Sequence, residues 1–342
     1  MTAGMTAADL FRILWVADPR LSPDGRRVAF TVTRLDAEAD DYRSTIWLAF
    51  VDGAAARPLT SGPGKDSAPR WSPDGTQLAF LSDRAGGRPQ VYLIDAGGGE
   101  ARRLTDIPAG CRRRCGRRTA AASSPVVRDD PAAAPADGAN PTTPPARVIT
   151  ALKYRANGEG FTYDRRRHLY VIDADTGAAR QVTEGDWDDI QPCWSPDGRR
   201  IAFVSARHDS RDLDRAVDIF IVDADGGDPT RITPRGGAAG LPAWSPDGAW
   251  LAYLGHADAE DEPRCSRLWL VPAAGGEPRC LTAAYDRHLE ISETAAPVWS
   301  ADGGAITVGV LDRGAAGVVR VRVTDGAVTP IGPAHAPSPA TT

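Results

Sequence analysis

Serine is the residue in this chain best suited to covalent chemistry, and five serines recur in nearly one setting. A serine nucleophile needs a base beside it and a strained turn, such as Gly-x-Ser-x-Gly, that exposes its hydroxyl. That pattern occurs nowhere in the 342 residues. The repeated serines stand instead in Ser-Pro-Asp-Gly, or once Ser-Ala-Asp-Gly, at Ser22, Ser72, Ser195, Ser245 and Ser300. These tetrapeptides are typical of β-turns, so the sequence predicts no catalytic residue.

Histidines, cysteines and acidic residues offer no metal or cofactor site in the sequence. None of the histidines is paired at metal-ligand spacing, and we expect them at the surface: His168, His208, His256, His288 and His335. The five cysteines form no balanced disulfide or zinc pattern: Cys111, Cys115, Cys193, Cys265 and Cys280. The acidic run Asp258–Glu262 lacks the ligand order of a calcium loop. We predict no metal and no cofactor.

Arg165, Arg166 and Arg167 are the one candidate substrate contact. Paired guanidinium hydrogen bonds could hold the carboxylate of a peptide. The plainer interpretation, which we prefer, is that the three charges keep a loop soluble.

The elements that position these residues come from a repeat. Trp-Ser-Pro-Asp-Gly occurs at Trp71–Gly75, Trp194–Gly198 and Trp244–Gly248, with variants at Leu21–Gly25 and Trp299–Gly303. In most units a strand-like run follows the turn, then a second strand and a short closing strand that ends in Leu-Thr, Val-Thr or Ile-Thr, whereas the last unit closes more weakly with Ala327–Ile331. Four antiparallel strands per unit, repeated at this length, predict an all-β fold, a β-propeller of four-stranded blades.

The spacing of the turn serines indicates one missing motif. Successive gaps are 50, 123, 50 and 55 residues, so one unit near residue 117 lacks its turn. Read across codon boundaries, residues 111–122 can spell a Trp-Ser-Pro-Asp-Gly repeat. We therefore interpret 111–126 as frameshifted or disordered, and the Pro- and Ala-rich stretch 127–147 as a flexible insertion. About six blades are then expected.

Composition and the chain ends limit the other possibilities. The net charge is −5 and no apolar run is long enough to span a membrane, so neither nucleic acid nor membrane is an expected partner. No leader peptide is evident, and we expect a cytoplasmic protein. We predict a short amphipathic helix within residues 1–17, a propeller over 18–332 and a disordered tail over 333–342. The helix either packs on its own propeller or docks on another domain.

These features together resemble the N-terminal propeller of S9 serine peptidases, the prolyl oligopeptidase family, in its acylaminoacyl-peptidase branch. The resemblance covers residues 5–332 and rests on the following segments: Asp18–Gly25, Tyr42–Leu48, Leu59–Gly62, Trp71–Arg84, Tyr154–Phe161 and Asp164–Leu169. It implies that about six of seven blades are present and that they cap an α/β-hydrolase domain, admitting peptide substrates. That catalytic domain is absent here, so we expect a truncated, non-catalytic gating propeller.

An interaction module is the alternative, because TolB-like propellers share the Ser-Pro-Asp-Gly motif. An incomplete ring also leaves apolar faces and strand edges open. We therefore expect the isolated chain to be poorly soluble or to form homo-oligomers.

Overall fold

The fold is built almost entirely of short antiparallel strands. The computed structural model of the protein describes residues 4, 6–62, 64–108, 110–111, 122–123, 126–128, 148–157, 160–163, 165–259, 265–289 and 296–332. The helices in this part of the chain are two 3-10 helices, Ala7–Arg12 and Asp209–Asp212. The helix predicted within residues 1–17 is thus a single short 3-10 segment, and β1 begins at Trp15.

Two regular blades come first along the chain. Blade A contains β1 (Trp15–Leu21), β2 (Arg27–Asp36), β3 (Asp41–Phe50) and β4 (Arg57–Pro58), and blade B contains β5 (Asp66–Trp71), β6 (Gln77–Ser82), β7 (Gln90–Asp95) and β8 (Arg102–Arg103). In each blade, neighbouring strands along the chain pair antiparallel in order. Alternating or wholly apolar runs of β-branched and aromatic residues favour these strands.

An irregular sheet and a small hairpin follow. These elements are β9 (Ala122–Ser123), β10 (Val126–Arg128), β11 (Arg155–Ala156), β12 (Gly160–Phe161), β13 (Arg167–Asp173) and β14 (Ala179–Gln181). Both β9 and β10 pair with β13, which also pairs with β14, so this sheet lacks the order of a blade. It contains no Ser-Pro-Asp-Gly turn to join a first and a second strand. Most of the proposed frameshifted segment, residues 112–121, lies outside the described residues. Residues 129–147 also lie outside them.

Three more blades complete the fold. Blade C contains β15 (Asp189–Trp194), β16 (Arg200–Ser205), β17 (Asp218–Asp223) and β18 (Thr230–Arg231). Blade D contains β19 (Ala238–Trp244), β20 (Trp250–His256), β21 (Arg267–Pro272) and β22 (Arg279–Cys280). Blade E contains β23 (His288–Leu289), β24 (Val298–Trp299), β25 (Ala305–Asp312), β26 (Ala315–Arg322) and β27 (Val328–Ile331). In blade E both β23 and β24 pair with β25, which gives five strands.

The all-β propeller class is confirmed, but the predicted blade count is wrong. The described residues form five regular blades, not six of seven, because the sheet around β13 is not a meander. The prediction of four strands per blade is also wrong for blade E. The chain divides into two compact units: unit 1 comprises Met1–Ala146 and Asp164–Val182, and unit 2 comprises Arg147–Tyr163 and Thr183–Thr342.

The repeated turns have one geometry. In blade B, the Gly75 N–H donates to the Ser72 carbonyl at 2.9 Å, and the Gln77 N–H donates to Ser72 Oγ at 2.9 Å. Ser72 Oγ in turn donates to an Asp74 carboxylate oxygen at 2.5 Å. Gly75 has φ +70°, a left-handed conformation that glycine adopts at little cost. The same serine–aspartate bond occurs in all five turns, so the repeated tetrapeptide is a local folding signal.

A β-bulge precedes the turn in blades A to D. The bulged residues are not glycine, yet each has φ between 50° and 56°: Asp18, Ala68, Gln191 and Leu241. Each lies three residues before the residue at the tryptophan position, where strand register shifts. In unit 2 the bulges of adjacent blades touch, since the Leu241 N–H donates to Gln191 Oε1 at 2.6 Å. Strained backbone of this kind persists only where surrounding contacts hold it.

Tryptophan and arginine side chains join each blade to the next. The indole N–H groups of Trp71, Trp244 and Trp299 donate to carbonyls of the preceding blade, at 2.8, 3.0 and 3.0 Å. Two of these indoles carry an arginine from the preceding blade: Arg27 lies 4.8 Å from the Trp71 ring and Arg200 lies 4.9 Å from the Trp244 ring. These contacts fix the blades face to face.

Closing-strand arginines make a second set of bonds between sheets. Arg57 donates to the carbonyl of Gly97 at 3.2 Å, and Arg102 donates to that of Ala174 at 3.0 Å. Arg279 donates to the Val323 carbonyl at 2.6 Å. In each case the acceptor lies at or beside the turn between the third and fourth strands of the following sheet.

The apolar core lies between blade faces, and blade E is covered differently from blade D. In β21 of blade D, Leu268, Leu270 and Val271 are all buried, so both faces of the strand are covered. In β26 of blade E, Val319 and Val321 are buried whereas Val318, Arg320 and Arg322 are exposed. Blade E therefore buries one face, and its other face includes charged residues.

Candidate functional site

The turn serines are held in a way that opposes nucleophilic chemistry. Each hydroxyl proton points to a carboxylate two residues later, at 2.5 Å. The serine hydrogen bond, followed by a backbone N–H, lowers the pKa of every turn aspartate: Asp24, Asp74, Asp197, Asp247 and Asp302. These carboxylates are ionised acceptors near neutral pH and are not positioned by a histidine in the described part of the chain. The serines are structural.

Polar side chains converge most densely beside blade C. We call this group the blade C cluster; it comprises Lys153, Asp186, Trp187, His208, Ser210, Arg211, Asp212 and Asp214. Five of its members lie on the loop between β16 and β17, which includes the 3-10 helix Asp209–Asp212. The loop runs over residues 206–217, whereas the corresponding loop of blade B runs over residues 83–89.

His208 has a partner that the sequence did not indicate. Its Nε2 lies 2.9 Å from Asp214 Oδ1, and Ser210 Oγ donates to Asp214 Oδ2 at 2.7 Å. The sequence indicated no partner acid for the histidines, which is wrong for His208, and the expected surface position is wrong for His168, which is 4% exposed. The three residues do not form a catalytic triad, because the serine bonds the carboxylate and not the imidazole. The short spacing from His208 to Asp214 on one loop was the available signal.

The charge state of Asp214 follows from competing effects. Burial acts to raise the pKa of Asp214, but hydrogen bonds from Ser210, His208 and the Ala216 N–H together hold it below its usual value. Asp214 is therefore an anion at neutral pH. Such a carboxylate, bonded to an imidazole and a hydroxyl, can orient a polar partner, but it supplies no nucleophile.

Arg211 forms the outer part of the cluster. Its guanidinium lies 4.7 Å from the Trp187 ring and bonds Asp186 at 2.5 Å. Trp187 is half-buried, so the stacked pair is accessible from one side. An arginine over an indole is a common platform for recognition, although the same contact also stiffens a loop.

A buried ion pair recurs once in each unit. Asp189 is fully buried and Arg207 holds both of its oxygens, at 3.0 and 2.8 Å. Asp66 bonds Arg84 at 2.7 Å in the same place in blade B. Each aspartate lies five residues before the motif tryptophan and each arginine thirteen after it, a spacing that the sequence offered and that we missed.

Each of these arginines also lies on a stacked aromatic pair. Arg207 is 5.5 Å from the Phe203 ring and 5.6 Å from the Phe220 ring. Blade D keeps the aromatic pair, Tyr253 and Trp269, with Ala239 in place of the aspartate. The ion pair is thus a property of particular blades and not of the repeat as such.

Asp218 is a buried carboxyl whose pKa is raised. It is 4% exposed at the start of β17, and burial raises its pKa although Thr233 Oγ donates to it at 3.1 Å. In blade B the neutral Gln90 occupies this position and accepts the Thr105 hydroxyl at 2.8 Å. An acid has therefore replaced an amide at a buried site.

The predicted arginine contact lies near the irregular sheet. Arg165, Arg166 and Arg167 are half-buried, and Arg167 begins β13 opposite Arg128. They are therefore not freely solvated. Their role toward a carboxylate ligand stays a prediction.

The described residues contain no group of three or more His, Cys, Asp or Glu side chains placed to hold a metal ion. Of the four cysteines in the described ranges, Cys111 is buried and its sulfur lies 3.6 Å from Thr105 Oγ1. Cys115 and His335 lie outside those ranges. No helix in the described residues is long and apolar enough to cross a membrane.

Comparison with known proteins links these features to two groups. The profile of the TolB beta-propeller domain family (PD40) matches residues 11–112. The uncharacterized peptidase YuxL of Bacillus subtilis is 35% identical over 343 residues, which cover 96% of this chain and 51% of the relative. A TolB homolog of Chlorobium luteolum is 38% identical over 101 residues, 27% of this chain and 22% of the homolog. The chain spans about half the length of its peptidase relative.

Solved structures show the same fold. An acylaminoacyl peptidase of Pyrococcus horikoshii superposes with TM-score 0.70 at 17% identity, over 95% of this chain and 46% of the enzyme. The β-propeller domain of the trilobed protease of Pyrococcus furiosus, described as having an open velcro topology, gives TM-score 0.62 at 16% identity over 94% of this chain and 84% of that domain. Here too, every regular blade is built from strands consecutive in sequence.

The repeated turns, the five regular blades and these matches lead to one conclusion. The resemblance found from the sequence is confirmed at the level of the propeller. The chain is a β-propeller whose residues 11–112 match the TolB beta-propeller domain family (PD40), and it is similar along 96% of its length to an uncharacterized peptidase.

Proposed function

We propose that this propeller is the non-catalytic, substrate-gating part of a serine peptidase of the S9 type. The observation that carries the proposal is the match to a peptidase relative along 96% of this chain but only 51% of the relative. The propeller thus corresponds to one half of a longer protein. An α/β-hydrolase domain would be its partner, and peptides small enough to pass the propeller would be the substrates.

The local chemistry supports a non-catalytic role. The recurring serines have their hydroxyl protons on turn carboxylates, and Ser210 bonds an aspartate rather than His208. The described histidines and serines are therefore not arranged for acyl transfer. The five cysteines form no balanced disulfide pattern in the sequence, and on that basis we propose a reducing cytoplasm.

The N-terminal segment supports contact with another domain. Leu10, Phe11 and Leu14 are 46%, 50% and 59% exposed, and the 3-10 helix Ala7–Arg12 buries none of its residues. Of the two alternatives left open by the sequence, docking on another domain therefore explains this helix better. Exposed apolar side chains at one place commonly mark such a contact.

Reconstitution tests the gating function. The chain is mixed with the separately produced second half of the Bacillus subtilis relative, and hydrolysis of an aminoacyl-nitroanilide is compared with hydrolysis of denatured casein. We expect no turnover by the chain alone, and a selective loss of casein hydrolysis when both parts are present. Unchanged selectivity, or no association at all, refutes gating.

A stand-alone interaction module is the second candidate. It is favoured by the TolB profile, which covers blades A and B, and by the similarity to a TolB homolog. It predicts a stable complex with a protein partner that does not depend on any hydrolase half. Affinity capture with the hydrolase half as competitor distinguishes the two candidate functions. The hydrolase half would displace a captured protein from a gating propeller, but it would leave the complex of an interaction module intact.

The arginine run gives the gating proposal a residue-level test. If Arg165–Arg167 hold a peptide carboxylate, Arg166→Ala in the reconstituted protein raises KM for free-carboxylate peptides and not for their amides. Equal KM values for the two peptide forms would assign these arginines to solubility or packing alone.

A further inference from the structure

Residues 148–163 form a small attachment to blade C. Their described part contains the hairpin of β11 and β12, with Arg155 opposite Phe161. Residues 147–163 belong to unit 2, although the residues on both sides along the chain belong to unit 1. The hairpin therefore belongs to the same compact unit as blade C.

Hydrophobic burial contributes little to this packing. Val148 is 78% exposed and Leu152 is 69% exposed. Among the described residues of the segment, Thr162 is the one that is buried. Phe161 contacts Tyr154 and Tyr163, with ring centroids 6.2 and 6.4 Å apart, so the aromatic side chains meet within the segment itself. An isolated two-stranded hairpin is marginally stable in water, so this one depends on its docking contacts.

Those contacts converge on one turn of the blade C loop. Asp212 Oδ2 accepts the Leu152 N–H at 2.6 Å, and Asp212 Oδ1 accepts the Lys153 N–H at 2.7 Å. In the opposite direction, the Lys153 ammonium donates to the carbonyls of Arg211 and Asp214. Four charge-assisted hydrogen bonds thus link two residues of the hairpin to residues 211–214. Bonds of this kind are about twice as strong as neutral ones, yet they lie at the surface where water competes.

We propose that residues 148–157 and 160–163 act as a releasable strap, clamped to blade C by Asp212 and Lys153, and that this strap opens before any blade of unit 2 unfolds. Few buried apolar contacts and a small number of exposed hydrogen bonds are the marks of a locally unfolding element. The blades beside it bury their strands on both faces, as in β17 and β21, so their opening costs far more. The strap and the blades therefore form separate cooperative units.

Native-state hydrogen exchange of the full chain tests the clamp. Asp212→Asn removes the charge and one of the two carboxylate acceptors, and we expect the amides of 150–163 to exchange about tenfold to a hundredfold faster. Exchange in β16 and β17 stays unchanged. Asp209→Asn is the matched control, since Asp209 lies on the same 3-10 helix and is exposed, and it should leave strap exchange as in the wild type.

Proteolysis of a second variant gives an independent measurement. Lys153→Ala removes the ammonium from the strap without altering the loop, and cleavage by chymotrypsin after Tyr154 should become at least several-fold faster. If strap amides in Asp212→Asn exchange as in the wild type, or exchange only together with β17 as denaturant is added, the strap is part of the blade and the proposal is wrong. Unchanged chymotrypsin cleavage of Lys153→Ala would also overturn it.

Discussion

Trp244→Phe should lower the free energy of unfolding by about 2–3 kcal/mol. Trp244 is 7% exposed, its indole N–H donates to the Cys193 carbonyl at 3.0 Å, and Arg200 lies 4.9 Å from its ring. Phenylalanine keeps an aromatic ring but loses the donor, worth about 1 kcal/mol. It also loses about 1 kcal/mol of buried contact and about 0.5 kcal/mol of the cation–π attraction.

Urea denaturation followed by circular dichroism measures this loss, and blade D provides the control. Trp250 begins β20 and is 40% exposed, so Trp250→Phe should change the free energy by less than about 0.5 kcal/mol. A double-mutant cycle with Arg200→Met should give a coupling of about 0.5–1 kcal/mol with Trp244→Phe. Equal effects of the two tryptophan changes would refute the idea that the motif indole joins blades.

Three further changes test other contacts. Asp189→Asn breaks the buried pair with Arg207 and should lower the free energy of unfolding by about 3–5 kcal/mol in the same urea experiment. Asp186→Asn, on a 63% exposed carboxyl, should lower it by under about 1 kcal/mol. Similar losses for the two variants would contradict the idea that burial makes the Asp189 pair important. Asp218→Asn should stabilise the protein above about pH 4. Burial raises the folded-state pKa of Asp218, so the stability of the wild type falls as the pH rises through and above the ordinary carboxyl range. A stability difference between the two proteins that does not change between about pH 4 and pH 7 would refute this. Ser245→Ala should cost about 1–2 kcal/mol, since the hydroxyl accepts the Trp250 N–H and donates to Asp247, and NMR titration should find the Asp247 pKa moved up toward its usual value; an unmoved pKa would show that the serine bond is not its cause.

Much of the blade structure could be predicted from local sequence. The strand Arg200–Ser205 follows its Ser-Pro-Asp-Gly turn as the sequence predicted, because a turn with proline and glycine fixes its start and a run of β-branched and aromatic residues defines its length. We predicted the closing strands one or two residues too late along the chain, as at Thr230–Arg231. The apolar-Thr pairs that follow these strands lie outside the regular ladder, and the threonine hydroxyl accepts a backbone N–H of the neighbouring strand instead.

The blade count could not be predicted, and the reason is physical. Counting motifs assumes that every unit closes as a meander, but β13 pairs with two separate short strands in a region without the turn. Blade E breaks the rule differently, since its first strand is divided into His288–Leu289 and Val298–Trp299.

Contacts between blades were partly readable. Arginine stands three residues before the closing threonine in four units, at Arg57, Arg102, Arg180 and Arg279. Three of them, Arg57, Arg102 and Arg279, donate to the next sheet. The positions of the bulges could not be predicted from the sequence, because the aspartate, alanine, glutamine and leucine found there share no property that indicates a left-handed backbone. The His208–Asp214 pair needed the fold of an unusually long loop.

The uneven covering of blades D and E limits how this array could grow. A duplicated copy of blade D would have apolar surfaces on both faces and could be inserted next to the original blade. A copy appended after blade E would meet Arg320 and Arg322, whose charges would lose their water without gaining partners. A duplicated blade is therefore expected to be tolerated beside blade D and not against the exposed face of β26.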